Sequence, residues 1–158
     1  MHLEIPALQA DLRRWRCALL VHPDLGRLER AVQRLAAESG WPRLSIGGRL
    51  SALLLSVPPE RRPGMVEPLM ESLLKPFSPG PVLCTEIDLL FVPELRLAPL
   101  KLLRQLSRTA ALLVAWPGSH SQNGLVYAVP EHTGYTVFRN PEVAVYPLDE
   151  DSGRKHAL

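Results

Sequence analysis

The segment VHPDLGRLE, residues 21–29, has the outline of a phosphate-binding loop with most of the chemistry removed. A working loop reads GxxxxGK[ST]. Its glycines free backbone amides to wrap phosphates, its lysine reaches the terminal phosphates, and its hydroxyl holds magnesium. Aligned on Gly26, this chain has Val21 for the first glycine, Arg27 for the lysine and Leu28 for the hydroxyl. A helix N-terminus still attracts anions, so Gly26 and Arg27 are the candidate weak nucleotide or phosphate site; the plain alternative is an ordinary strand-turn-helix corner. A second stretch, CTEIDLLF at 84–91, ends its apolar run on Thr85, where a magnesium-binding aspartate would stand. Glu86 and Asp88 lie close enough to substitute, Glu86 being the better placed, or they are simply a solvated acidic loop. The third stretch, AWPGSHSQNG at 115–124, puts Trp116 where related ATPases carry a polar phosphate sensor, followed by Ser119, His120, Ser121 and Gln122. His132 is isolated, and no nucleophile-base set is evident from spacing.

Lys101, Arg104 and Arg108 share a helix face by i, i+3, i+4 spacing, and Arg13, Arg14 and Arg16 cluster elsewhere in the sequence. Such cations could contact nucleic-acid phosphates; the plain alternative is a solvated helix face.

The elements that must position these residues can be read from periodicity. Leu8, Leu12 and Trp15 predict an amphipathic N-terminal helix. RCALLVHP is a continuous apolar run of the kind a strand buried on both faces shows. A helix follows from about 26 to 39, with Leu28, Val32, Leu35 and Ala36 on one side and Gly40 at the C-cap. RLSIG at 43–47 reads as a second strand. LSALLLS then reads as a helix ended by Pro58 and Pro59, before a Pro/Arg-rich loop at 58–64 and a helix from Met65 to Lys75. PVLCTEIDLLF (81–91) is a buried strand with its exit. Residues 93–108 are a helix with Leu95, Leu100, Leu102, Leu103 and Leu106 inward, and TAALLVAWPG is a third buried strand stopped by Pro117 and Gly118. Beyond it, short β-rich segments over 124–148 look like hairpin or edge strands appended to the sheet. The last ten residues, 149–158, read as a frayed tail.

The expected architecture is a single α/β domain over 1–158. It is a P-loop NTPase-like, mainly parallel sheet flanked by helices, with a short antiparallel β segment at the C-terminal end. Of the 158 residues 46% are hydrophobic and 22% charged, enough to bury a core. A net charge of +2 imposes no global field, so any nucleic-acid site must be a local patch. Cys17 and Cys84 each lie in an apolar run with no metal-ligand spacing and read as reduced core cysteines. The N-terminus has no signal-peptide pattern and no apolar run approaches a membrane span, which points to the cytoplasm.

Three segments together resemble a known family: residues 17–35, CTEIDLLFVPELRLAPLKLLRQLSR (84–108), and TAALLVAWPG followed by GLVYAVPEHTGY (109–118 and 124–135). They are similar to the small P-loop-containing BrxF proteins of type 3 BREX phage-defence systems, over about residues 3–148. The most specific pieces are LLFVPELRLAPLKLLRQLSR, VAWPG, and the Tyr127, Pro130, His132, Tyr135 pattern. The resemblance implies a recognisable GxxxxGK[ST] and an aspartate ending the second buried strand; here Gly26 matches, Arg27 matches partly, and Leu28 and Thr85 depart. Losing the lysine, the hydroxyl and the carboxylate removes most of the charge stabilisation that hydrolysis needs. The expectation is therefore a non-catalytic accessory subunit with no firm cofactor, ATP and magnesium being doubtful. Its partners would be the larger ATPase, methyltransferase or phosphatase-like components, contacted through 124–148 and the loop at 58–64. The alternatives are an active NTPase using Arg27 and Glu86, and a small DNA-binding module using Lys101, Arg104 and Arg108.

Overall fold

The run at 17–22 is a strand because both its faces are covered. In the computed structural model, which describes residues 3–128 and 136–148, every residue of β1 (Cys17–His22) is buried. Before it stands α1 (Ile5–Trp15), and after it come α2 (Leu25–Ser39), β2 (Arg43–Ser45), α3 (Ile46–Leu54) and α4 (Arg62–Leu74). The chain continues through β3 (Val82–Thr85), α5 (Pro99–Leu106), β4 (Leu112–Ser121), β5 (Gly124–Tyr127), β6 (Thr136–Phe138) and β7 (Ala144–Pro147).

The sheet runs β2-β3-β4-β1-β7 with all four pairings parallel, and β5 and β6 extend it antiparallel from the far half of β4. Alternate residues of each strand feed two cores. Ala18 and Leu20 join Leu83, Leu113 and Ala115 beneath Leu8 and Leu12 of α1 and Leu28, Val32 and Leu35 of α2. Cys17, Leu19, Val21, Cys84, Leu112 and Val114 face the opposite layer, built from α3, α4 and α5. Helices therefore cover both faces of a mainly parallel sheet, as expected of an α/β chain. Among the described residues no helix is long and apolar enough to cross a membrane.

Several boundaries differ from the sequence reading. VAVYPL is an edge strand of the sheet, but a parallel one: β7 pairs with β1, Ala18 opposite Ala144 and Val21 opposite Pro147. The strand at 109–118 does not stop at Pro117 and Gly118. β4 runs on to Ser121, its second half bonded to β5 rather than to β1 and β3. The helix expected over 93–108 is a short turn at Pro93–Leu95, a break at Arg96 in the left-handed region, and then α5. Ala98, extended as a residue before proline prefers to be, marks the restart. The loop at 58–64 is shorter than expected, since Pro59–Arg61 is a 3-10 turn and α4 begins at Arg62. Trp15 is 43% exposed rather than inward. Cys17 and Cys84 are buried, unlinked thiols, and burial pushes the Cys17 thiol up to about 12. The tail at 149–158 lies outside the described residues, as do Pro130, His132 and Tyr135.

Candidate functional site

The carboxyl ends of β3 and β4 and the start of α2 border a cleft of about 270 Å³, lined by Leu25, Leu28, Thr85, Glu86, Asp88 and Pro117 among others. Carboxyl ends of strands are where doubly wound sheets bind ligands. The described residues lining this cleft include three acids, Glu29, Glu86 and Asp88, and no base.

Its first wall is the turn between β1 and α2. Val21, which the sequence reading aligned with the first glycine of a phosphate loop, lies inside β1, registered with Trp116 on one side and Pro147 on the other. Only Pro23 and Asp24 separate strand from helix, too few residues to wrap a phosphate. Asp24 is the N-cap of α2, and its Oδ1 accepts from the amides of Gly26 at 2.8 Å and Arg27 at 3.3 Å. Those bonds, with the nearby His22 and Arg27, hold the Asp24 carboxyl below the usual aspartate range. His22 is buried beneath the turn, and its Nδ1 accepts from the Asp24 amide at 2.9 Å. The donors that would receive a phosphate at Gly26 and Arg27 are thus bonded to the chain's own carboxylate. An aspartate just before an apolar-periodic run is a readable capping signal; it was the missed residue of this corner.

Glu86 and Asp88 do lie together at the exit of β3, each already bonded. Glu86 sits in the left-handed region, its carbonyl accepting from the Gly47 amide at 2.9 Å and its carboxylate from the Ser45 hydroxyl. Ser45 also caps α3, so Glu86 is a strut between two strand ends. Asp88 accepts from the Tyr127 hydroxyl, which burial, reinforced by that carboxylate, pushes above the ordinary tyrosine range. Glu29 is paired with Arg43 through two bonds of 2.9 and 3.0 Å, and its carboxyl is held down by that partner. Among the described residues no group of three acids, histidines or cysteines is arranged to hold a metal.

At the third strand end Trp116 is fully buried and donates to the Val126 carbonyl at 3.0 Å. It packs edge-on against Phe91, Tyr127 and Phe138, while Phe91 and Tyr127 stack. This aromatic cluster fastens the hairpin to the sheet. Ser119, His120, Ser121 and Gln122 are exposed around its tip.

Lys101, Arg104 and Arg108 are exposed on and just after α5, at the opposite end of the sheet. The structure unites them with Arg16, which the sequence reading had kept apart: all four line one hollow. No family model, no curated protein and no solved structure matches the chain.

Proposed function

We propose that the chain is a non-catalytic, P-loop-like accessory subunit of a bacterial BREX-type phage-defence assembly, working in the cytoplasm by holding partners rather than by turning over nucleotide. The observation carrying the non-catalytic reading is the Asp24 carboxylate on the amides of Gly26 and Arg27. An incoming phosphate would have to displace it and would then meet Glu86 and Asp88 in the cleft beside it, with no lysine at the Arg27 position and no hydroxyl at Leu28. Kinship with P-loop ATPases is supported by the strand order. It differs from the 3-2-1-4-5-6 and 2-1-3-4-5 orders of other doubly wound sheets, setting the fourth parallel-pairing strand between the first and third as P-loop ATPases do. The defence assignment is supported by the residue patterns at 84–108 and 109–135.

Calorimetric titration with ATP and magnesium is expected to give no binding tighter than about 100 μM, roughly 5.5 kcal/mol. Tighter binding that Arg27→Ala abolishes, or hydrolysis lost in the same variant, overturns the non-catalytic reading. The defence assignment is tested separately by co-expression with proteins encoded beside the chain. Co-elution with a larger ATPase, a methyltransferase or a phosphatase-like protein is expected, while neighbours of unrelated kinds remove the assignment.

A further inference from the structure

At the amino ends of the strands the chain builds a groove unconnected with the nucleotide corner. α1 runs out through Arg13, Arg14, Trp15 and Arg16 into β1, and α5 runs out through Ser107 and Arg108 toward β4. Because β1 and β4 are neighbours with Cys17 opposite Leu112, the two helix ends are brought together. Arg16 Nε donates to the Ser107 carbonyl at 3.2 Å, and the Leu112 amide donates to the Arg16 carbonyl at 2.8 Å. Between them lies a hollow of about 450 Å³, lined by Trp15, Arg16, Lys101, Arg104, Gln105 and Arg108 among others. Arg16 also borders an adjoining hollow of about 220 Å³ with Arg13, and Lys101 and Gln105 border one of about 310 Å³ with Arg96. Arg16 thus stands between the first and second hollows, and Lys101 and Gln105 between the first and third. Two acids moderate the field: Glu142 bonds Arg104 at 3.0 Å, and Glu67 lines the third hollow.

Trp15 decides which anion this groove suits. An exposed indole by itself is ordinary, but this one stands among at least five cations. The Arg14 guanidinium lies 5.4 Å from its ring centroid. Cations along a groove with an aromatic ring beside them are what a stacked, flexible phosphate chain requires. A duplex could meet these cations through its phosphates, but its stacked bases offer no free face to the indole. Here the surface is concave, and α5 buries Leu100, Leu102, Leu103 and Leu106 against the core.

We propose that this groove binds single-stranded nucleic acid without sequence preference, phosphates lying on Arg16, Lys101 and Arg108 and a base stacking on Trp15. The site is independent of the nucleotide corner and stands or falls without it.

The test is fluorescence anisotropy with the full chain and labelled single strands of about 16 nucleotides. Oligothymidine and oligouridine are compared with a duplex and with polyglutamate. Micromolar binding of a single strand is expected at ~50 mM salt, weakening as salt rises. The two single strands distinguish DNA from RNA. Lys101→Ala and Arg108→Ala, both at exposed positions, are each expected to reduce the log–log salt slope by about 0.7. Trp15→Ala is expected to weaken binding by about tenfold at unchanged slope, with Trp15→Phe restoring most of it. Circular dichroism establishes that each variant is folded. The proposal is overturned if the duplex or polyglutamate binds as tightly as the single strands, if Trp15→Ala leaves affinity unchanged, or if folded protein binds no single strand at low salt.

Discussion

Asp24 is exposed and bonds only to backbone of its own turn, so it can be replaced without disturbing the core. Asparagine caps a helix about as well as aspartate, whereas alanine leaves the Gly26 and Arg27 amides without their acceptor. Asp24→Ala is therefore expected to lower the melting temperature by roughly 2–4 °C, and Asp24→Asn by less. The carboxyl titrates lower in the folded chain than in the unfolded one, whose value is near 3.8. Its stabilisation is thus present above that value and lost as pH falls through the folded one. Melting curves of wild type and Asp24→Asn should converge as pH falls through the folded value. At the alkaline end the sign reverses in pH. The thiols of Cys17 and Cys84 are raised by burial above 9.0, so the unfolded chain sheds those protons first and stability falls as pH rises past about 9. A thiol reagent at neutral pH should leave both cysteines of the native protein untouched and label both in denaturant. Tyr127→Phe keeps the stack on Phe91 and removes the bond to Asp88. Asp88 is exposed and can be rehydrated, so the expected cost, read from denaturant melts, is about 1 kcal/mol.

The β4–β5 hairpin depends on one small residue. A Cβ on Gly118 would stand 1.8 Å from the Val126 carbonyl oxygen and 3.1 Å from the Trp116 indole nitrogen. Those two atoms make the bond that seats the hairpin. Neither is a flexible side-chain end, so Gly118→Ala must push β5 off β4. The expected result is a loss of several kcal/mol in denaturant melts, comparable to a core truncation, with the Trp116 emission shifting red. A variant as stable as wild type would mean the two strands part readily. The strands visible in the sequence were those whose signal is local. Cys17–Val21, Val82–Cys84 and Leu112–Trp116 are continuously apolar because helices cover both their faces. β7 was legible as an edge strand, but not its parallel pairing, since nothing in AVYP announces that its partner lies 126 residues away at Ala18. Pro99 was a local signal for the start of α5 that the leucine periodicity masked. The same division holds at the sites. At the β1–α2 corner the sequence showed the strand, the turn and the helix start, and Asp24 could have been read as its cap. The meeting of Arg16 with Lys101 and Arg108 was not legible, since 91 residues separate Arg16 from its bonded neighbour Ser107 and only the β1–β4 register joins them.

Over the whole molecule the small net charge conceals an opposition between the two ends of the sheet. At the carboxyl ends, Glu29, Glu86 and Asp88 border a cleft with no basic residue among its described lining. At the amino ends, Arg16, Lys101, Arg104 and Arg108 border the largest of the hollows along the groove. A P-loop enzyme draws its phosphates to the carboxyl end. Here Glu29 at that end is paired with Arg43, and Arg104 at the other end with Glu142. The binding proposed above places anions at the amino end, where local charges rather than their sum set the field. A titration followed by backbone amide resonances separates the two. With pyrophosphate, and then with ATP lacking magnesium, the shifts are expected at Trp15, Arg16, Lys101 and Arg108, with dissociation constants on the order of millimolar for so small an anion. The amides of Gly26 and Arg27 should stay still, because the Asp24 carboxylate holds them. Asp24→Ala releases both amides but leaves the acids of the cleft in place, so their shifts should remain smaller than those of Lys101 and Arg108 even in that variant. Larger movement at Gly26 and Arg27 in the wild-type chain would mean that a phosphate displaces Asp24, and the nucleotide corner would be working after all.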